Sequence, residues 1–96
     1  MKRPPPTDES FCARYPVGRL FTGRVQSAHP FGVFLSVESP DMSALLELGE
    51  VTDEPVFPIQ LPAVGDLLTA VIIGCHHTQR QLILSIRPSQ LRQATG

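Results

Sequence analysis

The chain has 96 residues, 42% of them hydrophobic and 18% charged, and eight basic against nine acidic side chains give a formal net charge of −1. A chain this short buries only about 60% of its unfolded surface, so it builds one small core and excludes a catalytic core joined to a second substrate domain. Its slight acidity also excludes the overall basic field of a tight, nonspecific nucleic-acid binder.

Residues 1–13 combine the run Pro4-Pro5-Pro6 with Thr7-Asp8-Glu9-Ser10, which offers too little apolar surface to offset ordering entropy, and a disordered tail is expected. From Tyr15 onward, β-branched and aromatic runs alternate with Gly, Pro, Asp and Ser clusters, the texture of an all-β domain over residues 14–88. Ten prolines oppose long helices. The first strand is expected from Val17 to Gln26, with Gly23 allowing a bulge, and Ser27-Ala28-His29-Pro30 as the turn.

The second strand, Phe31 to Val37, alternates so that Phe31, Val33, Leu35 and Val37 face the core while Phe34 is left on the polar face. A third strand, Ala44 to Gly49, buries Leu46 and Leu48 and turns Leu45 and Glu47 outward. Pro55, Pro58 and Pro62 make Glu50 to Ala63 an extended loop, with Val56, Phe57 and Ile59 plugging one end of the domain. Leu67 to Cys75 forms the fourth strand and His76 to Arg80 its hairpin loop. In the fifth strand, Gln81 to Arg87, the pattern buries Leu82, Leu84 and Ile86 and exposes Gln81, Ile83, Ser85 and Arg87. Pro88 ends it, leaving residues 89–96 as a flexible tail.

Five short strands with a long connection between the third and fourth predict a five-stranded antiparallel Greek-key barrel, the oligonucleotide-binding fold. An SH3-like barrel is the structural alternative, because strand count does not separate the two.

Every Lys and Arg lies before Val25 or after Gln79, and the seven carboxylates between them, Glu38, Asp41, Glu47, Glu50, Asp53, Glu54 and Asp66, meet no basic residue in that block. Arg19, Arg24, Arg80 and Arg87 are the cations placed to reach a ligand. Cys12 and Cys75 are far apart in sequence and form no Cys-x-x-Cys pair, so two reduced thiols are expected. No run of 18 apolar residues occurs, and Met1 to Pro6 carries charge without the apolar segment of a secretory signal; a cytoplasmic protein that does not engage a membrane is expected.

The segment Val17-Gly18-Arg19-Leu20-Phe21-Thr22-Gly23-Arg24-Val25 resembles the opening strand of the S1 RNA-binding domain family. Phe31-Gly32-Val33-Phe34-Leu35 is similar to that family's Phe-Gly-x-Phe-Val, Val64-Gly65-Asp66 to its Gly-Asp turn, and Leu82-Ile83-Leu84-Ser85-Ile86-Arg87 to its closing Ile-x-Leu-Ser-x-Lys. These motifs occur in order over Tyr15 to Arg87. The resemblance implies single-stranded RNA as the ligand, with Phe31 and Phe34 as a base-stacking platform. Strand alternation alone points Phe31 inward, unless Pro30 or Gly32 twists the start of the strand.

Two of the family's polar positions are changed. Its third strand reads Gly-Leu-Val-His-x-Ser, whereas Ala44-Leu45-Leu46-Glu47-Leu48-Gly49 puts Glu47 at the His position, where a carboxylate repels phosphate. At the hairpin, His76 or His77 takes the place of the family's Asp, and Arg80 matches its Arg. Phe31, Phe34, Arg24, Arg80 and Arg19 are therefore the expected contacts, with Glu47 and His76 at altered positions. His29 and the His76-His77 pair flank the binding face of such a barrel; three solvated loop histidines are expected there, with added positive charge near a bound phosphate, rather than a metal site, as the functional alternative.

No nucleophile is paired with a base and no carboxylates have acid/base spacing, so neither catalysis nor a cofactor is expected. The expected function is a small monomeric RNA-binding module of translation or RNA metabolism. The alternative is a protein-interaction module that docks a partner through the acidic stretch Glu38 to Glu54 and the loop Val56-Phe57-Pro58-Ile59.

Overall fold

The computed structural model describes residues 12–37, 42–54 and 58–94. Its strands are β1 (Leu20–His29), β2 (Gly32–Leu35), β3 (Ser43–Glu47), β4 (Leu67–His76) and β5 (Gln81–Ser85), with a 3-10 turn over Leu48–Glu50 and a short helix α1 (Pro88–Leu91). They close into one barrel in the order β1-β2-β3-β5-β4. The expected all-β, five-stranded barrel is thus the fold, with one pairing different: β3 and β5 run parallel, while the other four pairs are antiparallel. Side-chain alternation has the same period in both orientations, so sequence pattern does not distinguish them.

The barrel interior is filled by alternate residues from every strand. Val25, Val33, Leu35, Ala44, Leu46, Ala70, Ile72, Leu82 and Leu84 form one buried cluster. Burying an aliphatic side chain of this size contributes about 1.5 to 3 kcal/mol, which makes this cluster the main source of stability.

Several expected positions shift. β1 begins three residues after Val17 because Gly18, at φ +98°, turns the chain and donates its N–H to the Ile72 carbonyl at 2.7 Å. Phe31 leaves the core and is 52% exposed, while Gly32 takes its place against β3. A Cβ at Gly32 would collide with the Leu46 carbonyl oxygen and lie 2.9 Å from the Glu47 Cα, so only glycine permits this close approach. Val37, Leu48 and Ile86 are half-buried at the margin.

Ser85, expected outside, is fully buried. The chain at Glu50 covers it, and its Oγ donates to the Glu50 carbonyl at 3.4 Å. Of the three residues expected to plug the barrel end, Ile59 is half-buried and Val56 and Phe57 lie outside the described residues.

Cys12 and Cys75, expected as free thiols, form a disulfide with a Cα–Cα distance of 5.9 Å. Antiparallel pairing explains it. Leu20 sits opposite Val71, and Gly18 bonds to Ile72, so the chain before β1 continues beside the far end of β4 and brings Cys12 to Cys75. Spacing of 63 residues along the sequence carried no trace of this juxtaposition.

The expected N-terminal tail falls mostly outside the described residues; Cys12 to Arg14 are helical. At the other end, the expected flexible tail begins instead as α1, which covers the outer face of β4 near Val71 and Ile73.

An acidic clamp fastens α1 to the barrel. The Asp53 carboxylate accepts hydrogen bonds from Arg87 Nε (3.0 Å) and from the N–H (2.9 Å) and Oγ of Ser89. Glu50 Oε1 sits 3.7 Å from Arg87 Nη1, an attraction of charge rather than a hydrogen bond. Ser89's hydrogen bonds, with the adjacent Arg87 guanidinium, hold the Asp53 carboxyl below its ordinary value of 3.8 against a smaller opposing effect of burial.

Because the folded-state pKa is depressed, the unfolded chain takes up the proton first. The contribution of Asp53 is complete above the ordinary carboxylate pKa and disappears as pH falls through the lower folded value. Asp53→Asn is therefore expected to melt below wild type at pH 7, with the gap closing in strong acid; melting curves against pH check this.

Candidate nucleic-acid interface

The hairpin joining β1 to β2 is short, and its residues carry three rings. The Leu48 N–H donates to the Phe31 carbonyl at 2.8 Å, tying the backbone at Phe31 to the end of β3 and leaving the ring to solvent. His29 lies parallel to Phe31, with centroids 5.0 Å apart and planes 11° apart. Both rings stand edge-on to Phe34, at 5.5 Å from His29 and 6.0 Å from Phe31. These separations are those of favourable aromatic pairs, so the three rings brace one another. His29 is further held near Ser27, with Nε2 and Oγ 3.2 Å apart.

Phe34 continues into a row of outward apolar side chains. It pairs with Leu45 on β3, and Leu45 pairs with Ile83 on β5. Alternation fixes the direction, since their neighbours Val33, Leu35, Ala44, Leu46, Leu82 and Leu84 are all buried. The half-buried row forms a floor beside the exposed Phe31 ring.

The expected polar contacts are distributed around this platform rather than gathered on it. Glu47 is exposed and directly opposite Gly32, which puts a carboxylate beside the aromatic cluster. Arg24 lies further along β1, where Nη1 donates to the Gly65 carbonyl at 2.7 Å. Its backbone N–H donates to Ser36 Oγ (3.3 Å) and its carbonyl accepts from the Ser36 N–H (2.9 Å), so it flanks the chain just past Phe34.

Arg80 has φ +49° in the β4–β5 turn, and its carbonyl accepts from the Ser43 N–H at 3.1 Å. That places it at the start of β3, four residues or about 13 Å from Glu47. His76 and His77 line the same turn, away from His29, so the three imidazoles do not converge. Among the described residues no cluster of His, Cys, Asp and Glu is arranged to hold a metal.

Arg19 stands exposed just before β1 and makes no contact with the aromatic cluster among the described residues. Arg87 is taken up by the clamp with Asp53 and Glu50. The same clamp occupies part of the acidic stretch proposed for protein docking; Glu38, Asp41, Val56 and Phe57 lie outside the described residues. Sequence reasoning missed His29 as a stacking partner. The available signal was its place in the turn two residues before Phe31, which makes ring contact possible.

A family model described as the S1 RNA binding domain matches residues 14–87. The solution structure of GSP13 from Bacillus subtilis is similar, with a TM-score of 0.67 and 27% identity over 79% of this chain and 58% of that one. A chain of the a/eIF2alpha-aDim2p-rRNA complex from Pyrococcus horikoshii gives 0.64 and 27% identity, over 80% of this chain and 48% of that one. The intact alpha subunit of aIF2 from Pyrococcus abyssi gives 0.63 and 25% identity, over 76% of this chain and 29% of that one. This chain spans about half the length of the first two.

Proposed function

Since the chain belongs to the S1 RNA-binding domain family, we propose that it binds single-stranded RNA, with bases stacked on Phe31 and Phe34 and phosphates met by Arg24 and Arg80. The observation that carries this reading is the His29–Phe31–Phe34 cluster, in which His29 and Phe31 are exposed and Phe34 is half-buried. An aromatic ring left in water at the end of a strand contributes little to folding, whereas stacking a base on it contributes about 1 to 3 kcal/mol and tolerates any sequence. Arg24 uses one of five donors on Gly65, so its fork retains donors for a phosphate. RNA as the ligand is further supported by the likeness to a chain solved in a complex that includes rRNA.

The proposed role is that of a monomeric binding module, without a catalytic step, in the translation or RNA metabolism of the cytoplasm. Binding is weak and salt-sensitive because few cations meet the strand and a carboxylate sits beside the platform. Titrating a labelled single-stranded oligonucleotide at two salt concentrations tests the reading; no binding at low salt overturns it.

Glu47 provides a prediction within the same experiment. At about 4 Å in water, repulsion between two unit charges amounts to about 1 kcal/mol. Glu47→Gln is expected to tighten binding about two- to fivefold at low salt, with the gain shrinking as salt rises.

A further inference from the structure

Away from the aromatic cluster, a cavity of about 500 Å³ opens where the chain enters β1. Its walls include Arg14, Tyr15, Arg19, Phe21, Thr22 and Ser36, and no described carboxylate lines it. In a chain whose residues from Val25 to Gln79 carry seven acids and no Lys or Arg, this is a place where positive charge gathers beside rings. Tyr15 and Phe21 meet edge to face at 6.1 Å, and the Arg14 guanidinium lies 5.8 Å from the centre of the Tyr15 ring.

Rings backed by guanidinium groups, with hydroxyls at the edge, suit a nucleotide: phosphate on the arginines, base against an aromatic face. The volume lies within the range of pockets that take small molecules.

The position of the cavity connects it to the platform. Ser36, part of its wall, follows Phe34 by two residues, a distance of about 7 Å along an extended chain. The Ser36 N–H still donates to the Arg24 carbonyl at 2.9 Å, so the chain remains paired with β1 there. Ser36 Oγ accepts from the Arg24 N–H, which leaves its own O–H to donate. A strand crossing Phe31 and then Phe34 is thereby directed past Arg24 toward Arg14 and Arg19.

The opposite wall is fastened covalently. The Tyr15 N–H donates to the Cys12 carbonyl at 3.1 Å, and Cys12 is bonded to Cys75 at the end of β4.

We propose that this cavity is a second RNA subsite, in which Arg14 and Arg19 take the phosphate of a nucleotide lying beyond those stacked on Phe31 and Phe34, with Tyr15 and Phe21 beside its base. The inference rests on the RNA-binding reading above and extends the footprint along β2. It makes affinity depend on RNA length: a short strand satisfies the platform alone, and a longer one reaches the cavity.

The test uses the oxidised full chain and labelled oligouridines of about four and about ten nucleotides, lengths within the site sizes of single barrels of this fold. Arg14→Gln with Arg19→Gln, confirmed folded by its melting curve, is expected to leave the shorter affinity within about twofold of wild type and to weaken the longer about tenfold. The slope of log affinity against log salt for the longer strand should fall by about 0.7 to 1.4, the loss of one or two phosphate contacts.

Unchanged affinity and slope for the longer strand, in a protein whose binding still requires Phe31 and Phe34, overturn the second subsite and leave the platform standing. Equal weakening at both lengths also overturns it, since the arginines then act as a general field. Failure of wild type to bind either length overturns the platform and the subsite together.

Discussion

Phe31→Ala together with Phe34→Ala is expected to weaken single-stranded RNA binding about thirtyfold or more while the barrel stays folded. Each lost stacking partner removes about 1 to 3 kcal/mol, and taking the lower figure for both rings gives about 2 kcal/mol, or some thirtyfold in the dissociation constant. The cost to folding is distinct and smaller. Neither ring belongs to the buried cluster of Val25, Val33, Leu35, Leu46, Leu82 and Leu84.

Phe31, 52% exposed, gives the cleaner single variant: affinity falls with the melting temperature nearly unchanged. Phe34 is half-buried against the floor of Leu45 and Ile83 and should cost some stability as well. Titrations and melting curves on the same samples separate the two effects. Loss of stability with affinity intact would make both rings structural and overturn the stacking platform.

How legible each part was depended on whether its cause was local. Val33, Leu35, Leu46, Leu82 and Leu84 were readable because strand alternation is a two-residue signal, and the barrel follows once five such segments exist. Phe31 was legible only through its motif. Alternation sends it inward, and what turns it out is the contact of Gly32 with β3, a partner 14 residues further on at Leu46.

The parallel β3–β5 pair, the burial of Ser85 under Glu50 and the clamp of Arg87 to Asp53 likewise depend on segments distant in sequence. At the interface, the residue types were legible and their distances were not. Arg24 is an exposed cation and Arg80 a half-buried one, and both lie along the strands from the rings rather than beside them.

Opening the Cys12–Cys75 bond is expected to have the largest effect on stability. The bond closes a loop of 63 residues, and the loss of chain freedom it imposes on the unfolded state corresponds to about 4 kcal/mol. For a single small domain that is a large share of a total near 5 to 15 kcal/mol.

Both sulfurs sit at the margin of the core and half-buried, so Cys12→Ser with Cys75→Ser removes the link with little change in native packing. The unfolding midpoint in urea should fall sharply in the variant and in reduced wild type, with a steeper denaturant dependence because the unfolded chain becomes less compact. Coincident curves for oxidised and reduced protein would show that the bond contributes nothing.

The bond's location divides its functional effect. The rings at His29, Phe31 and Phe34 are fixed by the β1–β2 hairpin and by Leu48, none of which the disulfide touches. Arg14 and Tyr15, by contrast, are joined to the barrel through Cys12, together with the Tyr15–Phe21 contact and the hydrogen bonds that Ile72 exchanges with Gly18 and Arg19. Reduced protein, measured where it remains folded, should therefore keep its affinity for a short oligonucleotide and lose part of the gain that length brings. Since reducing surroundings open such bonds, comparing the oxidised and reduced protein on short and long strands isolates what the covalent link adds to the second subsite.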